Sequence, residues 1–165
     1  MKKIILFLGL FTSFVTASAQ GSLEPGNVQI NAGFGFSSWG IPVYVGLDYG
    51  LLEDITIGGE ISYRSKSYQN VNYSSFAFVT NGNYHFNRLL RIPSEFDVYA
   101  GANIGYYHWS NNGVFLQGVS PYYSSGLNWG LQTGARYYFT DNFGVNLELG
   151  GGNNFAGKIG ITYTF

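Results

Sequence analysis

His108 and Ser110, in the stretch His108-Trp109-Ser110-Asn111-Asn112-Gly113, are the pair in this chain best spaced for covalent chemistry. Two residues apart on a strand they share a face, so an imidazole could take the proton of a hydroxyl as it attacks an acyl carbon. Such a base needs a carboxylate to orient it, and no Asp or Glu occurs between Asp97 and Asp141. The structural reading of the same pair is a strand-end His and Ser in a belt of aromatic residues. A second set is ionic: Asp48, Glu60, Arg64, Asp97, Arg136, Glu148 and Lys158 all stand at the polar phase of alternating segments. The run Gly150-Gly151-Gly152-Asn153-Asn154 is followed by no helix that could supply an anion site, so it reads as a hairpin loop and not a phosphate loop. His85 and His108 are the only histidines, on segments too far apart to share a metal, and the chain has no Cys. No metal, cofactor or disulfide is expected.

Period-two alternation positions all of these residues and runs from Asn27 to the last residue. Val28, Ile30, Ala32, Phe34 and Phe36 share one face of a first strand, with Gln29, Asn31, Gly33 and Gly35 on the other. A second sets Val43, Val45, Leu47 and Tyr49 against Tyr44, Gly46 and Asp48. A third sets Ile55, Ile57, Ile61 and Tyr63 against Gly58, Glu60, Ser62 and Arg64. The fourth has Phe76, Phe78, Thr80, Tyr84 and Phe86 opposite Ala77, Val79, Asn81, Asn83 and His85, with Val79 out of the polar phase. The fifth has Phe96, Val98, Ala100, Ala102, Ile104 and Tyr106 opposite Asp97, Tyr99, Gly101, Asn103 and Gly105. Leu127, Trp129, Leu131, Thr133, Ala135, Tyr137 and Phe139 then alternate with Asn128, Gly130, Gln132, Gly134, Arg136 and Tyr138. Phe143, Val145, Leu147 and Leu149 alternate with Gly144, Asn146 and Glu148, and Phe155, Ile159, Ile161, Tyr163 and Phe165 with Ala156, Lys158, Thr162 and Thr164. The pattern predicts eight strands in one domain, with no linker and no internal repeat.

The chain of 165 residues carries only 10% charged residues and 19% aromatic ones, against roughly 25% charged in an average soluble domain. An ionic coat of the usual kind cannot be assembled from that. Lys2 and Lys3, the apolar stretch 4–15 and Ala17-Ser18-Ala19 form a secretory leader pattern, so residues 1–19 are expected to be removed on export and 20–165 to form the domain. That remainder has more acids than bases and no basic stripe, which excludes a nucleic-acid footprint.

Alternation alone also describes a soluble sandwich or a lipocalin-like barrel. The polar face decides between them. It is mostly Gly, Asn, Gln, Ser and Thr, small neutral residues suited to a crowded interior. The apolar face gathers rings towards strand ends, as at Phe36, Trp39, Tyr49, Tyr63, Phe86, Phe96, Tyr137, Phe139, Phe143, Tyr163 and Phe165. An inside-out barrel in lipid accounts for both. Lipid offers an open sheet edge no partner, so the expected fold is an all-β, eight-stranded antiparallel up-and-down transmembrane barrel closed by its first and last strands.

An even strand count puts both termini on the periplasmic side, with turns at 51–54, 87–95 and 140–142 and external loops at 37–40, 66–73, 110–124 and 151–154. The turn at 87–95 is long for its side and has room for a short helical turn. Inside, Arg136, Glu148 and Lys158 lie on consecutive strands and are expected to meet, reaching across to Glu60, with Arg64 a further member of the lumen set. Such a network closes a narrow lumen; the competing reading is a path for protons or small solutes. The loop 110–124 holds no charge but carries Phe115, Leu116, Tyr122 and Tyr123, candidates for contact with an unidentified surface ligand.

The leader, the eight alternating segments and the terminal Ile159-Gly-Ile161-Thr-Tyr163-Thr-Phe165 resemble the small outer-membrane β-barrel family, the OmpA transmembrane-domain and OmpX-like plan. Tyr138-Phe139-Thr140-Asp141-Asn142-Phe143-Gly144 and Asp97-Val98-Tyr99-Ala100-Gly101 are similar to phrases in porin-like barrels of the Bacteroidetes. That resemblance implies an outer-membrane location among lipid and lipopolysaccharide. It also implies insertion by the outer-membrane assembly machinery, which in the family reads a last strand ending in Phe, here Tyr163 and Phe165. It implies no chemistry: a non-enzymatic protein serving membrane integrity or surface interaction, with a porin-like small-solute channel as the alternative. His108 and Ser110 with Asn111 separately resemble the His-x-Ser-Asn motif of the lipid A deacylases, which would make the barrel an outer-membrane hydrolase. This chain departs from that family in lacking the acidic residue that follows the Ser, and in having three strands after the motif.

Overall fold

The computed structural model describes residues 23–37, 40–68, 71–111, 125–151 and 156–165. The expectations placed on the leader, on Trp39 and Phe155, and on Phe115, Leu116, Tyr122 and Tyr123 lie outside the described residues. Eight strands follow in order: β1 (Val28–Phe36), β2 (Val43–Leu52), β3 (Ile55–Tyr68), β4 (Val71–His85), β5 (Phe96–Asn111), β6 (Gly126–Tyr138), β7 (Phe143–Gly151) and β8 (Gly157–Thr164). One helical turn, α1 (Asn87–Leu90), sits between β4 and β5. Each strand pairs antiparallel with its sequence neighbours, and β1 pairs β8 from Gln29 opposite Thr164 to Phe36 opposite Gly157. The sheet is a closed barrel, so its backbone groups are satisfied without an edge. No helix among the described residues is long and apolar enough to cross a membrane, which says nothing of crossing by strands.

The alternation read from sequence is the inside–outside alternation of the barrel. In β6 the residues Gly130, Gln132, Gly134, Arg136 and Tyr138 are buried, while Leu131, Thr133, Ala135 and Tyr137 are exposed. Trp129 is 73% exposed, Leu131 63% and Ile161 52%, whereas Asp97 and His85 are fully buried. Apolar outside and charged inside reverses the usual order of a water-soluble fold. The apolar exception indoors is a small cluster of Ala77, Val79 and Tyr107, packed against Trp109 at the end of the lumen away from the termini. Val79 leaves the polar phase of β4 because it belongs to that cluster. Rings pair outdoors at the terminal end: Phe96 with Tyr137 at 4.9 Å, and Tyr163 with Phe165 edge-on at 5.1 Å.

Two departures from the sequence reading concern connections. The segment 66–73, expected as a loop, is mostly strand: Lys66 pairs Tyr73, Ser67 pairs Asn72 and Tyr68 pairs Val71. β5 likewise runs two residues into the expected loop 110–124. Polar residues on both faces erase the alternation that marks a strand, while backbone pairing, to which composition is blind, continues. At the terminal end, the long turn holds α1, closed by Arg91 in the left-handed conformation (φ 53). Asn87 pins it by donating to the Phe96 carbonyl and accepting from the Val98 amide at 3.1 Å. Arg88 ties it to the β2–β3 turn through Glu53 and Asp54. The hydrogen bond and charge of Asp54, with Glu53 adding to them, raise the Arg88 guanidinium above its ordinary range.

Candidate functional site

The ionic side chains gather in the lumen as two clusters, and register decides their membership. Arg136 stands opposite Asp97 on β5 and Asn146 on β7, while Glu148 stands opposite Lys158. The expected meeting of Arg136 with Glu148 and Lys158 therefore does not occur, because Arg136 lies two residues nearer the terminal end. Its Nη2 is 2.6 Å from Asp48 and its Nη1 2.9 Å from Asp97. Lys158 makes the second cluster, 2.6 Å from Glu60 and 2.8 Å from Glu148. Arg64 belongs to neither: at the loop end its guanidinium lies 4.8 Å from the Trp109 ring centre and donates to the Ser37 hydroxyl at 3.3 Å.

Tyr99 joins the clusters. Its ring lies 4.5 Å from the Arg136 guanidinium and its hydroxyl donates to Glu148 at 3.0 Å. The ring can take that place because its cross-strand neighbour is Gly134, where a Cβ would stand 2.4 Å from the Tyr99 hydroxyl. Neutral side chains complete the layer. Tyr44 donates to Asn146 at 2.9 Å, Asn146 to Asn31 at 3.2 Å, and Asn31 to Asp48 at 2.9 Å. Gln132 donates to Asn83 at 2.6 Å and accepts from Asn103 at 2.8 Å. Between the clusters a cavity of about 20 Å³, lined by Asp48, Glu60, Arg136, Glu148 and Lys158 among others, has room for about one water.

The clearest arrangement that sequence reasoning missed lies at the terminal end of the lumen. His85 Nδ1 is 2.7 Å from Asp97 and His85 Nε2 is 3.0 Å from the Thr56 hydroxyl. A hydroxyl, an imidazole and a carboxylate at these distances have the layout of a nucleophile, a base and its orienter. All three are fully buried and none lines the cavity, so no acyl group can reach Thr56; the set is a structural hydrogen-bond chain ending on Arg136. Parity had placed His85 and Asp97 indoors; the signal for their contact was their common place beside the 87–95 turn.

His108 and Ser110 are exposed on the exterior face, opposite Phe76 and Ser74 of β4. The carboxylates that could orient a histidine are inside the barrel or at its terminal end, and Asp97 is engaged by His85 and Arg136. Among the described residues no group of His, Cys, Asp or Glu is placed to hold a metal ion. Tyr163 and Phe165 face outward at the end of β8, where the Phe165 amide donates to the Val28 carbonyl at 3.0 Å.

No protein-family model matches the chain and no curated relative is found. Solved structures match it along most of its length. The N-terminal barrel domain of Pseudomonas aeruginosa OprF superposes with a TM-score of 0.61 at 18% identity, over 87% of this chain and 100% of that one. Pseudomonas aeruginosa OprG gives 0.63 at 9% identity over 90% and 99%. Neisserial surface protein A gives 0.59 at 15% identity over 84% and 94%. At such identities the likeness is one of fold: this chain has the architecture of the small eight-stranded outer-membrane β-barrels.

Proposed function

We propose that the protein is a non-enzymatic integral outer-membrane barrel, exported through the leader at residues 1–19 and set among lipid and lipopolysaccharide by its apolar exterior. One observation carries this reading: the barrel is closed and carries its large apolar side chains outside and its ion pairs inside. In water that arrangement would aggregate; in a bilayer it is the stable one. Tyr163 and Phe165 end the chain as the strand that the assembly machinery reads. The lumen network of Glu60, Arg136, Glu148 and Lys158 closes the pore, and Arg64 sits above it. The external loops, with Phe115, Leu116, Tyr122 and Tyr123 in the longest, serve membrane integrity or surface interaction. Against an enzyme stands the missing orienter of His108. Refolding into lipid vesicles should give a band whose gel mobility shifts on heating, and a protein that stays soluble without detergent or lipid would overturn the reading. Changing Phe115, Leu116, Tyr122 and Tyr123 together to Ser should leave that shift intact while weakening whole-cell attachment or aggregation. Unchanged attachment would leave membrane integrity as the role, and altered lipid A acylation between the wild-type and deletion strains would instead restore the hydrolase.

A further inference from the structure

The five residues ahead of β1 fold back into the mouth of the barrel. Leu23-Glu24-Pro25-Gly26-Asn27 contains the Pro-Gly pair of a tight turn. The Asn27 amide donates to the Glu24 carbonyl at 3.1 Å, and Gly26, with φ 90, takes the position of positive φ that such a turn requires. The turn is fastened to β2: the Gly26 amide donates to the Gly50 carbonyl at 2.8 Å, and the Gly50 amide to the Asn27 carbonyl at 3.0 Å. Reversal at this point carries Glu24 and Leu23 back across Gly50.

Gly50 has the lumen phase of β2, two residues beyond Asp48. A Cβ on it would stand 2.1 Å from the Glu24 carbonyl oxygen and 3.2 Å from that of Leu23. The Leu23–Glu24 backbone therefore lies on the lumen side of the sheet, against a residue with no side chain to hold it off. Leu23 is 2% exposed, whereas Glu24, Pro25 and Gly26 are exposed. In a barrel that turns its large aliphatic side chains outward, a leucine drawn inside at the terminal end closes that end as Ala77, Val79 and Tyr107 close the other. What lies beneath it is polar. Gly50 pairs with Thr56, the first link of the chain through His85 to Asp97, and all three of those side chains are fully buried. β1 begins to pair at Val28 opposite Tyr49, so the strap can leave its seat without opening the barrel. A segment held by one apolar side chain and a turn opens far more readily than a whole fold.

We infer that Leu23–Asn27 is a removable stopper, seated on Gly50, that closes the terminal mouth of the lumen from within and governs the access of water and small solutes to Thr56, His85 and Asp97. The chain has no Cys, so Thr56→Cys supplies a single thiol beneath the stopper. The full chain is refolded in detergent micelles, which leave both mouths open to solvent, and the heat-dependent mobility shift is recorded first. The rate of labelling by a small water-soluble methanethiosulfonate is then measured. With the strap unaltered, labelling is expected to be slow and to proceed only through transient opening. In the same Thr56→Cys background, Leu23→Asp places a charge on the seated side chain, and Gly50→Ala adds a methyl group that displaces the Glu24 carbonyl. Each should raise the labelling rate at least about tenfold while keeping the mobility shift. Leu23→Met, apolar and close in volume, should leave labelling slow. A tenfold rise in either altered chain with the shift intact sustains the inference. No rise in any variant that keeps the shift overturns it, because the strap then does not guard Thr56. Loss of the shift in both Leu23→Asp and Gly50→Ala also overturns it, because the strap is then part of the fold and not a stopper.

Discussion

Arg136 answers two carboxylates at once, Asp48 and Asp97, and all three are buried. The same Asp97 holds His85, so the arginine is also the last link of the chain that begins at Thr56. Removing it leaves two buried carboxylates without their shared cation, Asp48 with Asn31 and Asp97 with His85 as the remaining hydrogen-bond partners. Arg136→Met should cost about 3–5 kcal/mol, read as the loss of urea resistance of the vesicle-inserted barrel. A loss below about 1 kcal/mol would mean that water reaches the pair and the cluster is not dry. Parity alone assigned Arg136, Glu148, Lys158, Glu60 and Arg64 to the lumen, and each side chain is buried there. What parity could not give was level. In a barrel the strands are staggered, so inward residues on consecutive strands need not share a layer. Arg136 meets the β5 carboxylate opposite it and one on β2, far away in sequence, whose approach only closure of the sheet determines.

At the scale of the strand, β6 shows why the pattern was legible and where it stopped. Leu127 to Tyr137 keep strict alternation because one face meets apolar surroundings and the other a packed polar lumen, and a slip of one residue would exchange the two. Leu131 lies mid-strand on the exterior. Leu131→Arg should lose about 2–4 kcal/mol of barrel stability, the cost of a charge near the bilayer midplane. Ser67→Arg, also on the exterior but above the rings, should change stability by no more than about 0.5 kcal/mol. Comparable losses at both positions would mean that the step on β3 from the Tyr63 ring to the Ser65 and Ser67 hydroxyls does not mark the membrane boundary. The same contrast explains the missed ends of β3 and β4. Ser65, Ser67, Ser74 and Asn72 have polar residues on both faces of their strands, so the sequence there carries a loop's composition on a paired backbone.

For the molecule as a whole, the question is whether the closed barrel is also a closed pore. Eight strands enclose an interior that side chains just fill. Along it lie Gln29 bonded to Tyr138 at 2.9 Å and to Thr162, then the Arg136 cluster, then the Lys158 cluster, and then the apolar group of Ala77, Val79 and Tyr107. These layers are in series and of unlike chemistry. On the closed-pore reading proposed above, an ion entering at the loop end would first shed water beside apolar side chains and then displace Lys158 from two carboxylates, and neither step would help the other. Removing one layer therefore leaves the other in place. Purified protein in planar bilayers is expected to pass no steady large single-channel current, and Val79→Ser with Tyr107→Ser should remain equally silent because the Lys158 layer persists. If the wild type conducts steadily, the lumen network is a filter and not a seal, and a small-solute channel replaces the closed barrel as the function. If only the Val79 and Tyr107 variant conducts, the apolar layer is the whole barrier and the ion pairs serve stability alone.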